Sequence, residues 1–389
     1  MKNKTMAVVT GMEVNGLGVA RSLGRRGVPV IGVVRNDYQV GRFSRYLRQA
    51  WRCADHPDAV VETLLERGGQ FDRKPVLFPI GDQTVRAIAA HRDALGRSYE
   101  LPLPEAALVE AAMGKQGFFA LAAAHGLDVP QTVCVRSVDD VRRAAGCIAY
   151  PCALKPDYRQ AGFKVRVAND ATGLLEAYAE LARHTPEAVV QSWIPGGDDD
   201  VYFCLQYYGK GGERLAGFTG RKMRQWPAHS GIASSCRPAR DAPEVECLTD
   251  RFFSGIGYRG LGSLELKRHA ETGQWLAVEA TIGRTDYLGP VADANGVPVP
   301  YVAYCDLAGE PLPPPRPGGR RCRWVAWGAD RKAARYYRNA GTLSRAAWLW
   351  SLRPPVVWSV WAVDDPLPVL APPVWRAVRK LWRMIGATC

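Results

Sequence analysis

The 389-residue chain lacks most of the short signatures that would fix a chemistry at sight. Its ten cysteines form no CxxC pair and no Cys/His cluster at zinc-ligand spacing, which excludes a structural zinc site and points to reduced, mostly buried thiols of a cytoplasmic protein. Long apolar runs are missing too. The most apolar late stretch, 343–363, is interrupted by Arg345, Arg353 and Pro354-Pro355, so it is not a bilayer-spanning helix. The opening MKNKTMAVVTGMEVNG has only a short apolar run before Gly11 and does not read as a signal peptide. There is no GxSxG elbow and no HExxH helix. A Walker A loop is absent, because Gly114-Lys115 is followed by Gln116 and Val109 stands where the first Gly is required. A dinucleotide fingerprint fails as well. Arg21 takes the third position after Gly16 and Gly18, where its side chain would obstruct helix–strand packing, although Asp37 is suitably placed. Acid is scarce at one end: from Arg316 onward there are 14 Lys/Arg against three Asp and no Glu, which carries +11 of the net +13. Eight of the twelve tryptophans share that stretch, so any polyanion binding belongs to the tail and not to the body.

What remains is ordinary globular composition, 47% hydrophobic and 23% charged, in a chain long enough for two or three domains. The opening reads as a strand at 7–10, a Gly-rich turn from Gly11 to Gly18, a helix from Val19 to Arg26 and a second strand from Val28 to Val34. A further strand at 76–79 precedes Gly81-Asp82 and another helix. This alternation predicts a parallel α/β sheet with ligand loops at the strand C-termini. Leu101-Pro102-Leu103-Pro104 marks a domain boundary. Helices follow from Glu105 and from Gly117, a short one near 137–145, and then the strand Ala153-Leu154-Lys155. Beyond it come strands at 188–193, 201–208 and 214–219, a helix at 243–256, and a hairpin joining 262–267 to 275–281. Residues 311–317 are a Pro-rich linker.

Several weak chemical signals lie along this frame. In the hairpin, Glu271-Thr272-Gly273 fits a three-residue loop, which sets Glu265 opposite Glu279 with both side chains on one face. Two adjacent carboxylates repel unless a cation lies between them, and an all-oxygen set favours magnesium. The same pair also fits a solvated strand face balanced by Lys267 and Arg268. Lys155 ends an apolar strand before the loop Asp157–Gly162, within reach of a phosphate; Lys115 stands near a helix start. Gln191, Ser192, Trp193 and Ile194 end a strand at a Pro-Gly-Gly turn followed by Asp198-Asp199-Asp200, which suits either a polar loop or a hinge pairing an adenine edge with an acid near the ribose. Arg221 and Lys222, with His229-Ser230-Gly231 after them, suit a substrate carboxylate or the γ-phosphate, and equally a solvated basic strand.

Taken in order, these signals resemble the ATP-grasp superfamily, in particular the carboxylate–amine ligases grouped near the D-aspartate and D-alanine–D-alanine ligases. The similarity spans roughly residues 7–289, and the run Glu279-Ala280-Thr281-Ile282-Gly283-Arg284 is similar to the family's closing metal motif. The resemblance implies an α/β chain with an ATP-grasp fold (α+β in that part), preceded by a Rossmann-like domain over 1–104. The ATP-grasp domain would cover 105–310, with a lid at about 105–193 and a metal-binding subdomain at about 194–310, and a basic extension would follow over 311–389. It implies that Lys115 and Lys155 grip ATP phosphates, that the 191–194 hinge holds adenine with Asp198 near the ribose, and that Glu265 and Glu279 hold magnesium, with manganese as a substitute. Thr281 stands where the family usually carries Asn as a further metal ligand. The segment Asp157–Lys164 differs from the Gly/Ser-rich phosphate loop of the D-alanine ligases, which favours the other branch. The implied activity is ATP-dependent joining of a carboxylate and an amine through an acyl phosphate, with Arg284 and Lys155 in catalytic roles.

An enzymatic rival keeps the acyl phosphate and uses another acceptor, such as bicarbonate or a thiol. A non-enzymatic rival is a catalytically impaired nucleotide-binding scaffold, with Thr281 reflecting lost catalysis. The tail allows two readings. Trp324, Trp327, Trp348, Trp350, Trp358 and Trp361 pack on the body while the arginines face water, or the final group from Trp375 to Arg383 forms an amphipathic helix on an anionic membrane. The second reading would put the protein at the inner face of the membrane. Asp364-Asp365-Pro366 predicts an ordered turn. No nucleic-acid recognition motif is present.

Overall fold

The computed structural model describes residues 4–158, 165–314 and 321–372. The chain opens with β1 (Ala7–Thr10), α1 (Val14–Gly24), β2 (Val30–Val34), β3 (Leu47–Arg52), α2 (Pro57–Gly68), β4 (Val76–Pro79), α3 (Asp82–Ala90) and α4 (Arg92–Gly96). Its strands form a parallel sheet in the order β3-β2-β1-β4. Helix α1 begins five residues earlier than the sequence predicts, so Asn15, Gly16 and Gly18 lie inside the helix and not in a turn. Packing explains the glycines. A Cβ on Gly16 would stand 1.8 Å from the Gly11 carbonyl oxygen, and one on Gly18 would stand 3.0 Å from the Pro290 ring.

The next elements are α5 (Ala106–Met113), α6 (Lys115–Ala124), β5 (Thr132–Val135), α7 (Val138–Ala145), β6 (Cys152–Pro156), β7 (Arg166–Ala168), α8 (Ala171–Leu181) and β8 (Ala188–Ser192). Ser137 caps α7 and Asp170 caps α8, each side chain accepting from a backbone N–H three residues on. Strands β5-β8-β6-β7 make a small antiparallel sheet whose inner face, with α7 and α8, has its own core around Leu154, Leu174, Tyr178 and Val190.

The largest sheet has seven strands in the order β13-β12-β9-β10-β11-β14-β15. It is built from β9 (Val201–Tyr208), β10 (Arg214–Trp226), β11 (Ile232–Pro238), α9 (Pro243–Gly255), β12 (Gly260–Arg268), β13 (Trp275–Ile282), α10 (Gly289–Ala294), α11 (Val299–Ala308), β14 (Arg323–Val325), α12 (Trp327–Asn339), α13 (Arg345–Ser351) and β15 (Val356–Trp358). Alternation along β9 and β12 splits its faces. Tyr202, Cys204, Leu264 and Leu266 pack with α9, while Phe203 and Leu205 share a second core with Trp324 and α11.

The sheet runs past the Pro-rich stretch expected to end it: β14 pairs with β11, and β15 adds beside β14. Trp324 is 1% exposed within the core. Asp330 accepts from Arg224 Nε at 2.7 Å, from Trp348 Nε1 at 2.9 Å and from Arg224 Nη2 at 3.1 Å, with neither charged partner open to solvent. Asp365, fully buried in the expected turn, accepts from Arg21 Nε at 2.9 Å, Ser44 Oγ at 2.7 Å and the Arg45 N–H at 2.9 Å. Arg21 on α1 therefore fastens the turn at 364–366, more than three hundred residues downstream. Of the tail tryptophans, Trp327 stacks near Trp348 and Trp358, whereas Trp350 stays 60% exposed. The group from Trp375 to Arg383 lies outside the described residues. Among the described residues, no helix is long and apolar enough to cross a membrane, and five of nine free cysteines are buried.

Candidate active site

The acidic pair depends on the register of the β12–β13 hairpin. Glu265 faces Glu279, Leu264 faces Ala280 and Ser263 faces Thr281, whereas Leu266 faces Ala277 and Lys267 faces Leu276. The expected juxtaposition is present, by a route other than the one expected. His269 and Gln274 close a four-residue loop through a 2.8 Å N–H to O=C bond, and a bulge at Val278 then shifts the ladder by one residue. Loop and bulge offset each other, so both acids keep the same face.

Lys222, on β10, is buried, and its Nζ donates to Glu265 Oε2 at 2.8 Å and to Gln225 Oε1 at 3.2 Å. Burial raises the Glu265 pKa, Lys222 opposes that rise, and Glu279 and Asp286 add to it. Lys222 is thus the cation answering the paired carboxylates, where the sequence suggested Lys267 and Arg268. Its neighbour Arg221 must point to the other face. There it bonds to Asp199 and lies over the Tyr202 ring at 5.1 Å, so it is not part of the cleft.

Strand β6 and helix α6 contribute two further lysines. Lys155 leaves β6 toward the large sheet, and its Nζ donates to Gln191 Oε1 at 2.7 Å. Burial and then the Lys115 charge push its pKa down to about 8, against the opposing pull of Glu279 and Glu265. Lys115, Glu265 and Glu279 therefore all lie within electrostatic reach of Lys155. Lys115 begins α6 with its backbone N–H and its Nζ each 3.2 Å from the Asp157 carbonyl oxygen. Of the loop following Lys155, only Asp157 and Tyr158 fall among the described residues.

The hinge follows β8. Gln191 is buried between Lys155 and Thr132, to whose Oγ1 it donates at 3.0 Å. The Ser192 and Trp193 N–H groups bond to Gln131 and Pro151, and Lys267 Nζ holds the Ile194 and Gly196 carbonyls at 2.8 and 3.1 Å. Among the described residues, the Trp193 carbonyl and the Ile194 N–H have no protein partner; they belong to one trans peptide and point to opposite sides of the chain. Lys267, two residues past Glu265 on the same face, is the hinge tether that sequence reasoning missed. Asp198 requires a correction. It is buried and accepts from the Gln225 N–H at 2.6 Å, Gln225 Nε2 at 3.0 Å, the His229 N–H at 3.1 Å and the Tyr337 hydroxyl, so its oxygens are consumed by structure and not open to a ribose.

Past Glu279, Thr281 lies on the same face opposite Ser263. Arg284 reaches back to the first domain, donating from Nε to Asp82 Oδ1 at 2.6 Å; burial works against its charge, and Asp82 and Asp286 outweigh that and hold its pKa up. Asn15 exchanges two hydrogen bonds with Thr285, at 2.8 and 3.0 Å, so it ties α1 to the segment after β13. Asp286, also missed, is buried with its pKa raised by burial, opposed by the Leu288 N–H, Arg284 and Lys222. Among the described residues no three His, Cys, Asp or Glu side chains gather into a metal cage. Glu265 and Glu279 nevertheless fit a hard cation: they are all-oxygen, they face each other, and an ammonium already rests against one of them.

No family model matches the chain. The biotin carboxylase domain of Hydrogenobacter thermophilus 2-oxoglutarate carboxylase, solved with MgADP, ADP and bicarbonate, superposes with a TM-score of 0.65 at 15% identity, over 82% of this chain and 73% of that one. N5-carboxyaminoimidazole synthetase of Staphylococcus aureus gives a TM-score of 0.62 at 15% identity, over 80% and 79%. The fold is ATP-grasp. Curated relatives share the ATP-grasp likeness at low identity. Formate-dependent phosphoribosylglycinamide formyltransferase of Wolinella succinogenes is 25% identical over 180 residues, 42% of this chain and 43% of that protein. The carbamoyl phosphate synthase large chain of Gemmatimonas aurantiaca is 24% identical over 259 residues, 65% of this chain and 23% of its own length. The chain thus spans less than half the length of either.

Proposed function

We propose that the protein is an ATP- and magnesium-dependent ligase that joins a small carboxylate to a small amine. The carrying observation is that Glu265 and Glu279 face each other within the electrostatic reach of Lys155. A carboxylate and an amine do not condense unaided in water, because the oxygen that must depart is a poor leaving group. In this reading, a substrate carboxylate oxygen attacks the γ-phosphorus and ADP departs. The amine nitrogen then attacks the acyl carbon, loses a proton, and phosphate departs. Positioning and charge neutralisation carry most of such a transfer.

Lys115 and Lys155 hold phosphate oxygens, and Gln191 keeps the Lys155 ammonium aimed into the cleft. The hinge over 191–194 lies against the adenine, and the Trp193 carbonyl, unpartnered among the described residues, accepts from its amino group. Glu265 and Glu279 would hold magnesium, with the Thr281 hydroxyl as a further oxygen beside them. The metal, when bound, neutralises phosphate oxygens. Lys222 then exchanges Glu265 for phosphate or substrate carboxylate. Arg284, steadied by Asp82, stabilises the oxyanion formed when the amine adds, a role in which losing one donor costs about 3–4 kcal/mol. The order of the motifs and the low Gly/Ser content after Asp157 favour the D-aspartate ligase-like branch.

The test is Glu279→Gln in an ADP-release assay over a panel of amino acids and small acids, with hydroxylamine as the trap for an activated acyl group. The parent releases ADP and forms hydroxamate with one acid, and the variant does neither. Wild-type ADP release by the variant would count decisively against the assignment.

A further inference from the structure

The proposed ligase activity leaves one large feature unused. Helix α12 is two-faced: Asp330, Ala333 and Ala334 are buried against the body, while Arg331, Lys332, Arg335 and Arg338 point outward. Across 331–363 there is no Asp or Glu at all, and Arg345 and Arg353 bring the exposed cations to six. Among the described residues none of the six enters an ion pair, in a protein whose other arginines repeatedly do so.

Apolar groups are exposed beside these cations. On α13, Leu349 is 51% and Trp350 60% exposed, and the Arg353 guanidinium lies 3.5 Å over the Trp350 ring. Further along, Trp361 is 42% and Val363 87% exposed. The two helices are tied together where Trp348 donates to Asp330, and Trp327 stacks on Trp348, so the pair is a firm platform.

We propose that the outer surface of α12 and α13, with the exposed segment 361–363 that follows β15, docks on an anionic lipid bilayer. Unpaired cations answer the headgroup charge, indoles settle at the interface, and exposed leucine and valine enter the acyl boundary. The aliphatic groups favour lipid over nucleic acid, since bases stack on aromatic and guanidinium planes and gain nothing from Leu349 or Val363. The inner side of α12 carries Tyr337, which bonds to Asp198 below the adenine hinge, so a docked α12 anchors the nucleotide cleft to the membrane.

The proposal is tested by flotation of the full chain with vesicles of phosphatidylcholine alone and of phosphatidylcholine mixed with an equal part of phosphatidylglycerol. The parent floats with the mixed vesicles and not with the neutral ones, and added salt weakens the association. Reversing α12 (Arg331→Glu, Lys332→Glu, Arg335→Glu, Arg338→Glu) lowers partition onto mixed vesicles by at least about a hundredfold, on the scale of roughly fivefold per cation near an anionic surface. Leu349→Ser with Trp350→Ser weakens binding and leaves its salt dependence intact. Thermal unfolding at an unchanged temperature verifies that both variants fold. Three results overturn the proposal: equal flotation with neutral vesicles, full flotation of the charge-reversed chain, or tighter binding to duplex DNA or RNA than to the mixed vesicles at equal salt.

Discussion

Lys155 sets function against stability in a way that can be measured. Burial beside the Lys115 charge lowers its pKa from an ordinary 10.5 to about 8, so the folded chain disfavours the protonated form by roughly 3 kcal/mol. Its hydrogen bond to Gln191 returns ~1 kcal/mol, which leaves a net cost of about 2 kcal/mol at neutral pH. Lys155→Met removes the charge and keeps the volume. The variant should therefore be more stable than the parent at pH 7 by about 2 kcal/mol in urea unfolding, while MgATP-dependent ADP release falls at least a hundredfold. The sign with pH follows from proton binding: between about pH 8 and the ordinary lysine value the unfolded chain binds the extra proton, so parent stability rises across that window. The advantage of the variant shrinks over the same interval and is gone before its upper end, where the parent becomes the more stable by about 1 kcal/mol. Paired urea titrations at pH 7 and at the top of that window, with a thermal shift on adding MgATP, supply the data. A variant less stable than the parent at pH 7, or one that still gains stability from MgATP, refutes the reasoning.

Other consequences are quickly checked. Asp330→Asn strips the counter-charge from buried Arg224 and should cost about 3–5 kcal/mol, read as a lower thermal midpoint. Gly16→Ala drives a methyl to 1.8 Å from the Gly11 carbonyl and should lose about 3 kcal/mol or fail to fold, whereas Gly289→Ala, with no heavy atom within 4 Å of the added carbon, should not. Tyr337→Phe removes one donor from Asp198 and should raise the KM for ATP roughly tenfold with kcat nearly unchanged; an equal loss in kcat would move Tyr337 into the chemistry.

Much of the frame was legible because it rests on local rules. Runs such as Val76–Pro79 and Ala188–Ser192 are apolar, short and bounded by turn residues, and they are strands. Ser137 announces α7, as an oxygen-bearing cap should. The start of α1 was misread, since glycines that sequence reasoning assigns to a turn are required inside the helix by contacts with Gly11 and Pro290. The facing of Glu265 and Glu279 was legible only through a cancellation, because nothing in Val278 announces a bulge. The neighbours that tune the site were invisible for the same reason throughout. Lys222 against Glu265 joins positions 43 residues apart, and Tyr337 against Asp198 joins positions 139 apart, with no period or motif to link them. Arg221 was over-read: two adjacent basic residues on one strand cannot both face the cleft.

The fastening of Asp365 to Arg21 has a consequence for biosynthesis. As the polypeptide emerges from the ribosome, the sheet of β1, β2 and β4 can close early, because its strands are near in sequence. Helix α1 nevertheless holds a buried guanidinium that waits for a partner more than three hundred residues downstream. Strand β14, the edge strand β15 and the Tyr337 clamp on Asp198 arrive in the same late stretch. Residues as far as Asp365 must therefore have emerged before this region takes its final shape, and a chain halted near residue 310 would expose the unpaired rim of β11 to other nascent chains.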